Sequence, residues 1–250
     1  MKKDKLEIKI YDTRAEMGVA AGADATEKIK KLLAEKDEVN IIFAAAPSQN
    51  EVLQALIESD GIDWTRINAF HMDEYIGLDK DAPQGFGNFL RDRIFGKLPF
   101  KSINYINGQA EDMEEECKRY TLLLQKYPTD LVMMGIGENG HIAFNDPHVA
   151  FFNDEKTVKA VELDLMCRNQ QVNDGCFEKL EDVPEFALTL TIPTLMRAKY
   201  LICTVPAKRK ANAVKNTVLG EISEKCPASI LRTHDNAVMY CDNDSGSEIA

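Results

Sequence analysis

Val39-Asn40-Ile41-Ile42-Phe43-Ala44-Ala45-Ala46-Pro47-Ser48 is the stretch on which the fold turns. An almost unbroken apolar run reads as a strand buried on both faces, as strands of a parallel sheet are, whereas a half-exposed strand alternates. The run ends in small residues and then a proline, which is tolerated at the start of a helix. Pro47 and Ser48 therefore open a helix, and a buried strand followed directly by a helix is the unit of an α/β fold.

The same alternation extends outward. On the N-terminal side, residues 6–10 alternate apolar and polar, and Thr13 caps a helix expected to reach about residue 36, with Ala20, Ala21 and Ala23 on a face suited to close packing. On the C-terminal side the pattern predicts a third strand over 66–72 ending at Asp73, a helix over 84–95, a short strand over 103–106, an amphipathic helix over 110–126 and a buried strand over 130–136. Strands over 158–163, 186–192 and 200–204, a helix over 207–219 and a last strand over 237–241 follow. This order predicts a mostly parallel open sheet with helices on both faces. No repeat or linker divides the 250 residues, so one domain spanning 1–250 is the expectation.

Composition narrows the function. The net charge of −11 argues against nucleic acid, which requires a basic footprint. No apolar run approaches the ~20 residues needed to span a bilayer, and the charged start Met1-Lys2-Lys3-Asp4-Lys5 lacks a signal peptide's apolar stretch. A cytoplasmic protein without membrane partners is expected, and its six scattered cysteines read as free thiols rather than disulfides or a metal site. An anionic ligand would need backbone N–H groups and a few chosen cations to offset the acidic background.

In parallel sheets ligands bind beyond the carboxyl ends of the strands, so the loops after strands carry the candidates. Ala45, Ala46 and Ser48 allow a ligand close approach to backbone and helix N–H groups, which suits phosphate; the same segment also reads as a plain turn with Ser48 as a cap. Asp73 and Glu74 are adjacent carboxylates at a strand end, where one can be tuned as a general base, and strand alternation sends the two in different directions. An exposed acidic turn is the other reading of that pair. Gly135-Ile136-Gly137-Glu138-Asn139-Gly140-His141 combines a tight loop with the side chain best suited to moving protons near neutral pH, and Asp146 is placed to orient that histidine. Gly135, Gly137 and Gly140 formally fit a dinucleotide fingerprint, but that motif belongs at the first strand–helix turn, so no dinucleotide cofactor is expected. Lys208, Arg209 and Lys210 stand at the start of a helix, where cations oppose the helix dipole and an anionic ligand would relieve them.

Together these pieces resemble the glucosamine-6-phosphate deaminase/isomerase family. The resemblance rests on Phe70-His71-Met72-Asp73-Glu74-Tyr75-Ile76-Gly77-Leu78, the loop from Gly135 to Asn145, Val183-Pro184 with Ala187-Leu188-Thr189, Lys210-Ala211 and Pro227-Ala228-Ser229-Ile230-Leu231. It implies a Rossmann-like single domain, no metal and no organic cofactor, and a phosphorylated amino sugar as the small-molecule partner. It further implies that Asp73 moves a proton between carbons 1 and 2 while His141, flanked by Asn139 and Asp146, assists ring opening. Lys210, with Ala45, Ala46, Ser48, Glu74, Gly140 and Arg168, would bind the substrate.

Three departures stand out. Asn139 replaces the family's usual Asp, Asp146 replaces its Glu, and Arg168 is a counterpart of its arginine only if a gap is allowed. Asn before Gly-His resembles the galactosamine-6-phosphate branch. The alternatives are a non-catalytic sugar-phosphate sensor, motivated by the altered triad, and a 6-phosphogluconolactonase-like hydrolase. The resemblance leaves oligomeric state open, a homo-oligomer included.

Overall fold

The computed structural model describes residues 1–250. In chain order it forms β1 (Lys2–Lys3), β2 (Leu6–Tyr11), α1 (Arg14–Glu35), β3 (Val39–Phe43), α2 (Asn50–Ile57), β4 (Ile67–His71), β5 (Asp73–Tyr75), α3 (Phe86–Leu90), β6 (Ser102–Asn104) and α4 (Met113–Lys126). Then come β7 (Leu131–Met134), β8 (Val158–Glu162), α5 (Leu165–Asn173), β9 (Phe186–Leu190), α6 (Ile192–Met196), β10 (Tyr200–Val205), α7 (Ala211–Leu219) and β11 (Ala237–Asp242).

Eight strands make one sheet in the order β1-β2-β11-β10-β7-β3-β4-β6, parallel except for the β1–β2 pair. Successive residues of β3 enter opposite apolar layers, Ile41 and Phe43 one and Ile42 the other. Both faces are thus covered, as its unbroken apolar sequence requires. From β3 the chain builds outward to β4 and β6, and from β7 it builds the other way through β10 and β11. The β7–β3 border is therefore a topological switch point, where open α/β sheets form their ligand crevice.

The remaining three strands correct the single-sheet expectation. β5, β9 and β8 form a separate antiparallel sheet, with Asp73 opposite Thr189 and Tyr75 opposite Ala187. The chain thus leaves the main sheet after His71, and Asp73 lies within a strand of the second sheet. The expected helix over 84–95 is α3 continued by a π-helical turn over Arg91–Phe95. Helix α5 has no counterpart in the sequence-based expectation.

Thr13 caps α1 in a reciprocal box, its side chain taking the Glu16 N–H while Glu16 accepts the Thr13 N–H. The close-packing face is made by Gly18 and Gly22, with Ala23 exposed. A Cβ on Gly22 would sit 2.4 Å from Ala55 Cβ on α2. Gly22→Leu is expected to destabilise the protein by about 1–3 kcal/mol through overpacking, read as a lower urea midpoint; an unchanged midpoint would mean that the helices separate freely.

Candidate active site

Four neighbouring strands end on one cleft of about 460 Å³. β3 delivers Ala44 to Gln49, β4 delivers Met72 and Asp73, β7 delivers Gly135 to Gly137 with His141, and β10 delivers Pro206 to Lys210. Phe86 and Phe144, stacked with centroids 5.2 Å apart, form an apolar wall.

Asp73 and Glu74 diverge as strand alternation requires, and neither is an exposed acidic turn. Asp73 is buried and lines the cleft, and no protein donor reaches its carboxylate. Burial, aided by the neighbouring Glu74 charge, pushes its carboxyl well above the usual range. Glu74 points away from the cleft, which corrects its assignment to the substrate. Its carboxylate accepts the N–H groups of Tyr75 and Phe86 at 3.0 Å each and of Gly87 at 2.8 Å. It anchors the start of α3 to β5.

The glycine loop holds His141 against its own backbone. The Gly137 N–H donates to the His141 carbonyl at 2.9 Å, and a Cβ on Gly137 would lie 2.2 Å from the imidazole Cε1. Any side chain at Gly137 would displace the ring. His141 Nδ1 lies 3.0 Å from Asp146 Oδ1, and its Nε2 has no protein partner, so the ring is oriented by its far edge. Burial works to raise the Asp146 carboxyl, but its bonds to His141, Asn139 and the Asp164 N–H hold it below the ordinary carboxylate range.

Asn139 is placed differently from the expectation. It does not meet the imidazole; its Oδ1 accepts the backbone N–H of His141 at 3.0 Å and its Nδ2 faces Asp146 and Asp164. Gly140 does not line the cleft either. It has a φ of +84°, and a Cβ there would meet Cys226 Sγ at 2.8 Å, so it is glycine for backbone and packing reasons. Arg168 is likewise corrected: its Nη2 donates to the carbonyls of Leu180 (3.1 Å) and Val183 (2.8 Å), clasping the segment before β9 outside the cleft.

Ala45, Ala46, Ser48 and Lys210 all line the cleft. The N–H groups of Ala45 and Ala46 have no protein partner. Lys210 is only 7% exposed, and its ammonium has no hydrogen-bond or ion-pair partner. Burial lowers its pKa, against the pull of Asp174 and Glu138. A buried, unpaired cation sharing a cleft with free amide donors suits an anion. The other cations in the cleft are engaged. Arg14 binds Glu51 and the Pro47 carbonyl, and Arg209 bonds Asp174 at 3.0 Å.

Gln170, Gln171, Asp174 and Arg14 are cleft residues that sequence reasoning missed. In α5, the glutamines are buried while Leu165 and Met166 are exposed, so the helix shows no apolar stripe to read. The histidines given no role stay outside the cleft. His71 is buried with Nε2 accepting the Ile106 N–H, and burial pulls its pKa down to about 3. His148 and His234 meet the carbonyls of Glu162 and Ala198. All six cysteines are free.

His141, Asp146 and Cys167 bring ligand atoms within 4.8 Å of one another. The first two stand 3.0 Å apart and face each other, and burial pushes the Cys167 thiol well up, so the third member is held as a thiol rather than presented as a thiolate. No helix is long and apolar enough to cross a membrane.

Residues 12–240 match the family model of glucosamine-6-phosphate isomerases/6-phosphogluconolactonase. The chain is 36% identical over 229 residues to a glucosamine-6-phosphate deaminase of Listeria innocua, covering 92% of this chain and 95% of that one. It is 35% identical over 223 residues to one of Bacillus cereus, covering 89% and 83%. Among solved structures it superposes on a monomeric glucosamine-6-phosphate deaminase with a TM-score of 0.87 at 29% identity, covering 97% of this chain and 99% of that chain. A 6-phosphogluconolactonase of Thermotoga maritima shares the fold, with a TM-score of 0.76 at 22% identity over 95% of this chain and all of that one (100%).

Proposed function

This chain belongs to the family of glucosamine-6-phosphate isomerases and 6-phosphogluconolactonases, and from that membership we propose that it isomerises and deaminates an amino-sugar 6-phosphate. The observation that carries the reading is one cleft holding an unpartnered buried carboxylate, Asp73, an oriented histidine, His141, and an unpartnered buried cation, Lys210. A carboxylate whose affinity for protons is raised by burial suits a proton shuttle between two carbons.

In this reading Lys210 and the N–H groups of Ala45 and Ala46 hold the phosphate. His141 Nε2 handles the proton at the ring oxygen as the sugar opens, with Asp146 steadying the imidazole. Asp73 takes the proton from carbon 2 and returns it to carbon 1, while the carbon-1 oxygen gains a proton and the amine gives one up, leaving an imine at carbon 2. Water adds to that imine and ammonia departs, giving the ketose phosphate. Relatives named glucosamine-6-phosphate deaminase support the glucosamine epimer, while Asn139 is what favours testing galactosamine beside it.

Purified protein incubated separately with glucosamine 6-phosphate and galactosamine 6-phosphate is expected to release ammonia and ketose phosphate in equal amounts from at least one. Ketose phosphate without ammonia would reduce the activity to isomerisation, and silence from both would overturn the proposal.

A further inference from the structure

Asn139 has every hydrogen-bonding group in use, in a combination that only an amide can serve. Its Nδ2 lies 2.9 Å from Asp146 Oδ1 and 2.9 Å from Asp164 Oδ2, so each of its two hydrogens meets a carboxylate. Its Oδ1 accepts the His141 N–H at 3.0 Å. Asp164 closes the arrangement from the far side. Its backbone N–H donates to Asp146 Oδ2 at 3.0 Å, and its Oδ1 accepts the Cys167 N–H at 2.6 Å, capping α5. Asp146 Oδ1 in turn stands 3.0 Å from His141 Nδ1.

We propose that Asp164 is a positioning residue for His141, acting through Asn139. The Asp164 carboxylate fixes the direction of the Asn139 amide. That amide then donates to the same Asp146 oxygen that holds the imidazole and clamps the backbone of His141 itself. A neutral side chain at 139 is thereby matched to a carboxylate at 164, which supplies a negative charge one hydrogen bond further from the ring. A carboxylate at 139 could donate to neither neighbour and would bring a third charge among them.

The Asp164 side chain does two things, capping α5 and holding Asn139, and Asp164→Ser separates them. Serine is an equally good helix cap, but it is neutral and too short to reach the amide. The variant is expected to keep its urea midpoint. Its kcat should fall about tenfold, a typical loss for removing an outer partner of a functional histidine, with KM within twofold. The ring resonances of His141 should also shift by NMR in the protein without substrate, because the imidazole is no longer held in one orientation. In an Asn139→Ala background, where the lever is already gone, Asp164→Ser should cost no further kcat.

The kinetic arm rests on the proposed reaction, whereas the imidazole resonances do not, so failure of the activity and failure of the positioning role are separable. Unchanged His141 ring resonances in folded Asp164→Ser would overturn the inference, as would a kcat loss that simply adds to that of Asn139→Ala.

Discussion

Asp73→Asn is expected to lower turnover by about 10²–10⁴-fold, the contribution of one positioned acid–base group, while affinity for the amino-sugar phosphate changes only a few-fold. The amide keeps the shape of the carboxylate and its place in β5 but accepts no proton. Because the effect is on proton transfer, kcat should fall and KM should stay. A variant that retained more than a tenth of the turnover would remove Asp73 from the chemistry.

The same substitution has a second expected result of opposite sign. Asp73 is buried with no donor to its carboxylate, and its carboxyl is held well above the ordinary range by burial first and the Glu74 charge second. Between the unfolded and folded values the native state binds the extra proton, so stability falls as pH rises through that window. Above the folded value the full penalty is present, and below the unfolded value it is absent. Asp73→Asn should therefore stabilise the folded protein at neutral and alkaline pH and make no difference in strong acid, read by thermal unfolding across pH. The wild-type rate should show the matching acid limb, with activity rising as Asp73 ionises at a pH well above that of an ordinary carboxylate. A limb in the ordinary range would contradict the buried setting.

That Asp73, His141 and Lys210 converge is legible in the sequence because parallel strands bring their carboxyl ends to one edge. Four apolar runs, each followed by a small, acidic, glycine-rich or basic loop, then have one place to meet. What was not legible depends on non-local pairing. The second sheet joins Asp73–Tyr75 to Phe186–Leu190 across more than a hundred residues, and nothing in either segment names the other. Glu74 and Arg168 look like site residues because they are charged, yet their shortest bonds go to backbone groups, the N–H of Phe86 and Gly87 and the carbonyls of Leu180 and Val183. Every segment has such groups, so no pattern marks them. Asn139 was misjudged for a related reason. Beside His141 in the chain it suggests contact with the ring, but Asp164, 25 residues on, claims the amide.

Lys210→Met should weaken affinity for the phosphorylated amino sugar by about 30-fold to 5,000-fold, the ~2–5 kcal/mol range for losing one partner of a buried charge pair. An unphosphorylated amino sugar should lose little. Lys210 is 7% exposed, its ammonium has no protein partner, and it shares the cleft with the N–H groups of Ala45 and Ala46, which are also unpaired. Such a group destabilises the free protein, because burial disfavours its charge. Its folded pKa lies below its unfolded one, so the unfolded state binds the extra proton between the two values, and stability rises with pH through that window. Methionine, of similar length and neutral, should therefore raise the unfolding temperature of the free protein at neutral pH. That gain should vanish above the unfolded lysine value. The phosphate ligand should stabilise the wild type far more than the variant, since it supplies the missing counter-charge. Equal weakening for both sugars would place Lys210 at some other part of the ligand, and a variant less stable than wild type at neutral pH would show that the lysine is structural.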